Sequence, residues 1–226
     1  MREISAAQSA VAQSEQVSKV LRNTYSLLAM TLIFSAITAG ISMALGLGRG
    51  VGLISSLGAI ALVWFVLPKT ANSAAGIWVV FAFTGLLGLG LGPTLNAYLN
   101  LANGGAIITQ ALGGTAIVFF GLSAYVLTTR KDFSFMGGFL MIGLIVAIVG
   151  SLGAFVASLF GADISMFSLA ISGMIVLLMS GFILYDTSRI IHGGETNYIM
   201  ATVSLYLNIY NLFTALLHLL GAMNDD

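Results

Sequence analysis

Seven long apolar runs dominate the chain, at residues 25–47, 51–67, 74–91, 105–127, 133–160, 164–191 and 198–220. Each is about long enough to cross a hydrocarbon layer of ~30 Å as a helix. Lipid offers backbone groups no hydrogen-bond partner, so a span is either a helix or a strand of a closed barrel. Unbroken apolar runs favour helices over the alternating segments of ~10 residues that build a barrel. The pattern therefore predicts an all-α membrane protein of seven transmembrane helices. Pro68-Lys69-Thr70 reads as the loop between the second and third helices, and Gly92-Pro93 as the break after the third. The fifth and sixth runs are the longest and are expected to tilt or to project beyond the hydrocarbon.

Composition sharpens this picture. The chain is 58% hydrophobic and only 7% charged, against about 25% charged in an average soluble domain. Such a chain cannot cover a water-facing surface; a lipid bilayer is its implied surrounding. Eight basic and eight acidic residues give a formal net charge of zero, and no basic stripe suits nucleic acid. Cysteine is absent, which removes disulfides, thiol nucleophiles and thiolate metal sites. The 27 glycines suit helices that associate by close backbone approach. Gly88 and Gly92 have the small-xxx-small spacing, and Ser165, Ser168 and Ser172 share one helix face.

Residues 1–22 are polar and are expected to form a disordered cytoplasmic tail ahead of a seven-helix domain over 23–226. The first apolar run is too long for a signal-peptide core and is expected to persist as an anchor. Basic residues are retained on the cytoplasmic side. With the amino terminus inside, Arg2, Lys19, Arg22, Lys69, Arg130, Lys131 and Arg189 fall on the inner side, and Arg49 alone falls outside. The carboxyl end, Asn224-Asp225-Asp226, is then expected outside.

Three polar features interrupt the apolar background. Asp186 stands about five residues, hence about 8 Å, from the inner end of the sixth helix. Ionisable residues at such depth face a bundle interior or a cavity. Arg189, three residues on, is a candidate partner; the pair reads either as a structural ion pair at the membrane boundary or as a proton-sensing latch. The seventh helix carries Ser204, Asn208 and Asn211 on one face, with Tyr206 and Tyr210 beside it. A short loop makes the sixth and seventh helices antiparallel neighbours, so Asp186 can approach Asn208 or, as a closer depth match, Ser204. The loop itself, His192-Gly193-Gly194-Glu195-Thr196-Asn197, offers Gly193 or Gly194 for a left-handed helix end and Thr196 or Asn197 for a cap. His192 is a candidate pH sensor.

A catalytic reading does poorly. His192 and His218 lie at opposite ends of the seventh helix, about 30 Å or more apart, and share no metal. The sequence has no HExxH pair, no Ser-His-acid set and no phosphate-binding loop. Asp186 is the one clearly intramembrane carboxylate, whereas an aspartyl protease needs two. No enzyme activity, cofactor or metal site is expected.

The run Leu184-Tyr185-Asp186-Thr187-Ser188-Arg189-Ile190-Ile191-His192-Gly193-Gly194-Glu195-Thr196-Asn197-Tyr198, followed by Ser204-Leu205-Tyr206-Leu207-Asn208-Ile209-Tyr210-Asn211-Leu212-Phe213, resembles the closing signature of the Bax inhibitor-1 family. Lys19 to Tyr25, Lys69 to Asn72 and Ala124 to Asp132 are similar to its bacterial branch. The resemblance covers the chain from about residue 19 onward. It implies a seven-helix fold with an inward-facing tail, and an inner-membrane modulator that binds and restrains the FtsH protease, a membrane-bound ATP-driven enzyme. The tail around Lys19 and Arg22 would be the handle. The wider family is associated with a pH-regulated calcium leak sensed by two acids, so a pH-sensitive cation leak channel gated by Asp186 is the alternative function, with Ca2+ or H+ as a candidate ligand. Asp186 matches the first acid, but the second position is Asn208. An amide cannot ionise, which leaves this chain at most a single-site pH response.

Overall fold

A computed structural model describes the backbone of residues 2–224 and the side chains of residues 14–48 and 50–224. Met1, the side chains of residues 2–13 and of Arg49, and Asp225 and Asp226 lie outside this description. Among the described residues all regular structure is helical. Seven helices are long and apolar enough to cross a membrane. They are α1 (Arg2–Ala44), α2 (Gly50–Thr70), α3 (Ala75–Leu99), α4 (Gly104–Thr129), α5 (Gly137–Leu159), α6 (Ser165–Ile191) and α7 (Tyr198–Ala222). A single 3-10 turn, Ser134–Met136, leads into α5. This is the architecture expected of a multi-pass membrane protein, whose large exposed apolar side chains, such as Leu53, Trp64 and Ile142, face a solvent of the same polarity.

Two expected breaks are absent. The third span runs through Gly92-Pro93 to Leu99, with Pro93 inside the helix. A proline there removes the N–H that would bond the carbonyl four residues back, which is that of Leu89. The hydroxyl of Ser42, on α1, donates to Leu89 O instead, at 2.7 Å. The second span likewise runs on through Pro68 to Thr70. Just before Pro68 the helix widens into a π-turn over Leu62–Val66, with the Leu67 N–H bonded to Leu62 O. Such a turn shifts the ladder by one residue and makes room for a ring that would collide with the previous turn. The chain reverses only afterwards, over residues 71–74.

The chain divides into two compact units, residues 1–100 with 190–206 and residues 101–189 with 207–226. In the first, α1 and α2 each pack along α3. Small residues set the approach: a Cβ at Gly88 would collide with Ser35 O and Thr38 Oγ1, and one at Gly92 with Ser42 Oγ. The expected small-residue interface is therefore the α1–α3 seam. Asn96 Nδ2 donates to Met43 O at 3.1 Å at the carboxyl end of α1, a carbonyl that also accepts from Gly46 N at 3.1 Å. In the second unit, Leu178 fills the space over Gly143 and Leu140 that over Gly181, so α5 and α6 interlock.

Candidate functional site

The carboxyl-terminal half of α6 and the middle of α7 hold Asp186 and Asn208. Asp186 is half-buried and Asn208 is 6% exposed. The amide Nδ2 of Asn208 donates to Asp186 Oδ2 at 2.7 Å. The choice left open between Ser204 and Asn208 falls to Asn208; Ser204 is half-buried one turn nearer the loop. An amide N–H can donate to a carboxyl oxygen in either protonation state, whereas a second carboxylate would repel the first when both are ionised. Asn208 thus gives Asp186 a donor that does not itself titrate.

The other expected residues make separate contacts or are exposed. Arg189, half-buried, lays its guanidinium over the ring of Tyr185 at 5.6 Å from the centroid, one helical turn apart on the same face. Asn211 turns back on its own helix, Nδ2 to Leu207 O at 2.8 Å. His192 is exposed on the α6–α7 loop, and Lys19 and Arg22 are exposed on α1.

The α6–α7 loop is fixed by two of its residues. Gly193 takes the left-handed conformation, φ 75°, that a Cβ would disfavour. Asn197 caps α7: its Oδ1 accepts from the N–H groups of Ile199 and Met200 at 2.9 and 3.1 Å. Its Nδ2 donates to Ala71 O and Asn72 Oδ1 at 3.0 and 2.8 Å. One side chain therefore starts α7 and tethers the α2–α3 turn to it. An open cleft of about 500 Å³ lies along this seam, lined by neutral groups including Asn72, Ser73, Thr196 and Tyr198. A smaller one of about 100 Å³ lies where Gln16, Val17 and Val20 of α1 meet Gly193, Glu195 and Thr196.

Two further polar contacts escaped the sequence reading. Tyr206 is 1% exposed; its hydroxyl bonds Ser35 Oγ at 2.6 Å and donates to Thr84 O at 3.4 Å, tying α7 to α1 and α3. Ser172, on the serine face of α6, bonds His218 Nδ1 at 2.8 Å. Distance from the helix ends was the signal available for that pair, since Ser172 lies seven residues after the start of α6 and His218 four before the end of α7. Among the described residues, no three His, Asp or Glu side chains cluster where they could hold a metal ion.

Known proteins match this arrangement along most of its length. The family model described as inhibitor of apoptosis-promoting Bax1 matches residues 17–225. An uncharacterized membrane protein of Vibrio cholerae is 52% identical over 219 residues, 96% of each chain. The modulator of FtsH protease YccA of Escherichia coli K12 is 55% identical over 208 residues, 92% of each chain. The protein of E. coli O6:H1 named inner membrane protein YccA matches to the same extent. Seven apolar helices, the α6–α7 signature and a family match spanning both lead to one assignment: the chain belongs to the Bax inhibitor-1 family.

Proposed function

We propose that this protein is an inner-membrane regulator, not an enzyme, that binds the FtsH protease and restrains it. The observation that carries the reading is the 55% identity, over 92% of both chains, to a relative named as a modulator of that protease. The amino terminus faces the cytoplasm in this reading, as the seven-to-one distribution of basic residues favours. The polar segment through Arg22 is the handle. From Arg2 it is the first part of α1, and α1 is seated on α3 through Gly88 and Gly92. A processive enzyme that engages the handle must then pull α1 out of its tightest seam, which favours occupancy of the enzyme over rapid degradation. Asp186, with Asn208 as its neutral donor and Arg189, Ser204 and His192 nearby in sequence, is the charge-state-sensitive latch of the fold.

Co-purification from membranes, with turnover of a second membrane substrate of the protease measured alongside, tests this. Full-length protein should co-purify with the enzyme and slow that turnover. Deletion of residues 2–18 should abolish the slowing; undiminished binding and inhibition by the deleted chain would remove the tail from the mechanism.

A further inference from the structure

The corner between α4 and α5 has an arrangement that the reading above does not use. Both helices are spans, so residues 130–136 sit at a membrane boundary whichever side that is. Arg130 ends α4 at φ 52°, ψ 27°, the one non-glycine residue with positive φ among those described. Glycine or asparagine is the usual occupant of that helix-end conformation, and a non-glycine residue held in it is a pointer to function. The turn brings Lys131 back over α4. Its Nζ lies 3.1 Å from Tyr125 OH and 5.7 Å from the centre of that ring. An ammonium has three N–H donors, and the phenol oxygen engages one. Tyr125 packs on Phe133, ring centres 6.2 Å apart, and Phe133 stacks on Phe135 at 6.4 Å. Phe135 is 80% exposed. The acid of this corner, Asp132, is exposed, and its Oδ1 accepts from Ser134 N at 2.8 Å and lies 3.4 Å from Ser188 Oγ.

Aromatic rings prefer the level of lipid headgroups, and basic residues beside a span attract anionic lipid. Here the Lys131 ammonium is held by Tyr125, whose ring packs on Phe133. We propose that the α4–α5 corner binds the phosphate of an anionic phospholipid, with Lys131 and Arg130 on the headgroup and the Phe133–Phe135 stack against its upper acyl chain. The occupant is a lipid because the rings that position Lys131 stand at the ends of spans, where acyl chains are the adjacent medium. The proposal is independent of the protease reading and of which side the corner faces.

A reporter chain with Phe135→Trp, and with Trp64→Phe and Trp78→Phe to remove other indoles, would be reconstituted in phosphatidylcholine vesicles. Part of the lipid would be replaced by brominated phosphatidylglycerol or brominated phosphatidylcholine. Brominated phosphatidylglycerol should quench the indole at several-fold lower mole fraction than brominated phosphatidylcholine, and Arg130→Gly with Lys131→Gln should erase the difference. Glycine keeps the left-handed turn available, so that variant retains the corner. Equal quenching by the two lipids, or a preference that survives the double substitution, would overturn the proposal. Native mass spectrometry of the unaltered chain from mixed phosphatidylglycerol–phosphatidylcholine micelles gives a second reading without a reporter: retention of phosphatidylglycerol that Lys131→Gln diminishes supports the site, and equal retention of both lipids sinks it.

Discussion

Ser42 donates its hydroxyl to Leu89 O at 2.7 Å, and Leu89 is the residue whose helical partner would be the missing N–H of Pro93. The contact ties the course of α3 to the sequence of α1. If it satisfies the carbonyl that proline strands, Ser42→Ala should cost about 1–2 kcal/mol, the upper part of the range for hydrogen bonds between membrane helices. Pro93→Ala restores a backbone donor, so the same serine substitution in that background should cost about 0.5 kcal/mol or less. Unfolding of the four chains in mixed micelles gives the cycle; additive effects would mean that the two sites are uncoupled.

The seam that Ser42 belongs to sets a second expectation. A methyl group at Gly88 would strike Ser35 O, which is backbone and cannot swing away. Gly88→Ala should therefore destabilise by about 2–3 kcal/mol through overpacking. Gly113 and Gly121 have nothing within 4 Å of the same methyl. Alanine at either should be neutral, or stabilising by up to about 1 kcal/mol through helix propensity. Thermal unfolding in one detergent compares the three; a mild Gly88→Ala would show that α1 can move off α3 at little cost.

The Asn208–Asp186 contact gives a third. Asn208→Ala removes the amide donor 2.7 Å from Asp186 Oδ2 and should cost about 1–2 kcal/mol. Asp186→Asn retains an acceptor oxygen in the same place and should cost less than about 1 kcal/mol. If the reverse order is measured, the carboxyl group's other contacts outweigh the amide.

These contacts mark how far the sequence could be read. The number of spans follows from run length alone, because ~20 apolar residues have few alternatives. Gly92-Pro93 misled because proline's missing N–H is a local fact, whereas its remedy, Ser42, lies 51 residues earlier. Pro68 misled for a related reason: the widened turn over Leu62–Val66 has no signature in an apolar sequence. Helix-rise arithmetic brought Asp186 near both Ser204 and Asn208 but could not choose, since one turn of helix is smaller than the shift that tilt introduces. Tyr206 looked like a neighbour of the polar stripe, yet it is a buried anchor on Ser35, because which face of α7 meets α1 depends on packing that no periodicity records.

Outside the spans, Asp163 governs the start of α6. Its Oδ1 accepts from Ser165 Oγ at 2.6 Å and from Ser165 N at 2.9 Å. These two bonds, the side-chain one first, hold its carboxyl below the ordinary value of 3.8. A depressed carboxylate contributes stability that is present above the unfolded value and is lost as pH falls through the folded one. The difference in melting temperature between the parent chain and Asp163→Ala should therefore be constant from about pH 7 to 5 and shrink below about pH 4. A difference that grows on acidification would reverse the sign and exclude this capping role.

Asn197 offers the sharpest separation of roles, because its two ends act on different elements. The Oδ1 end caps α7 through Ile199 and Met200, and the Nδ2 end holds Ala71 and Asn72. Asn197→Asp keeps an oxygen for the cap but replaces the donor by an acceptor facing two others. It should loosen the α2–α3 turn while α7 still begins at residue 198. Asn197→Ala removes both functions and should cost about 1 kcal/mol for the cap in addition to the lost tether. Amide hydrogen exchange resolves the two: faster exchange at residues 71–77 in both variants, and at 199 and 200 only in Asn197→Ala. If Asn197→Asp left residues 71–77 as slow as in the parent, the tether would have to come from the neighbouring contacts of Gly76 with Ile199 and not from the amide.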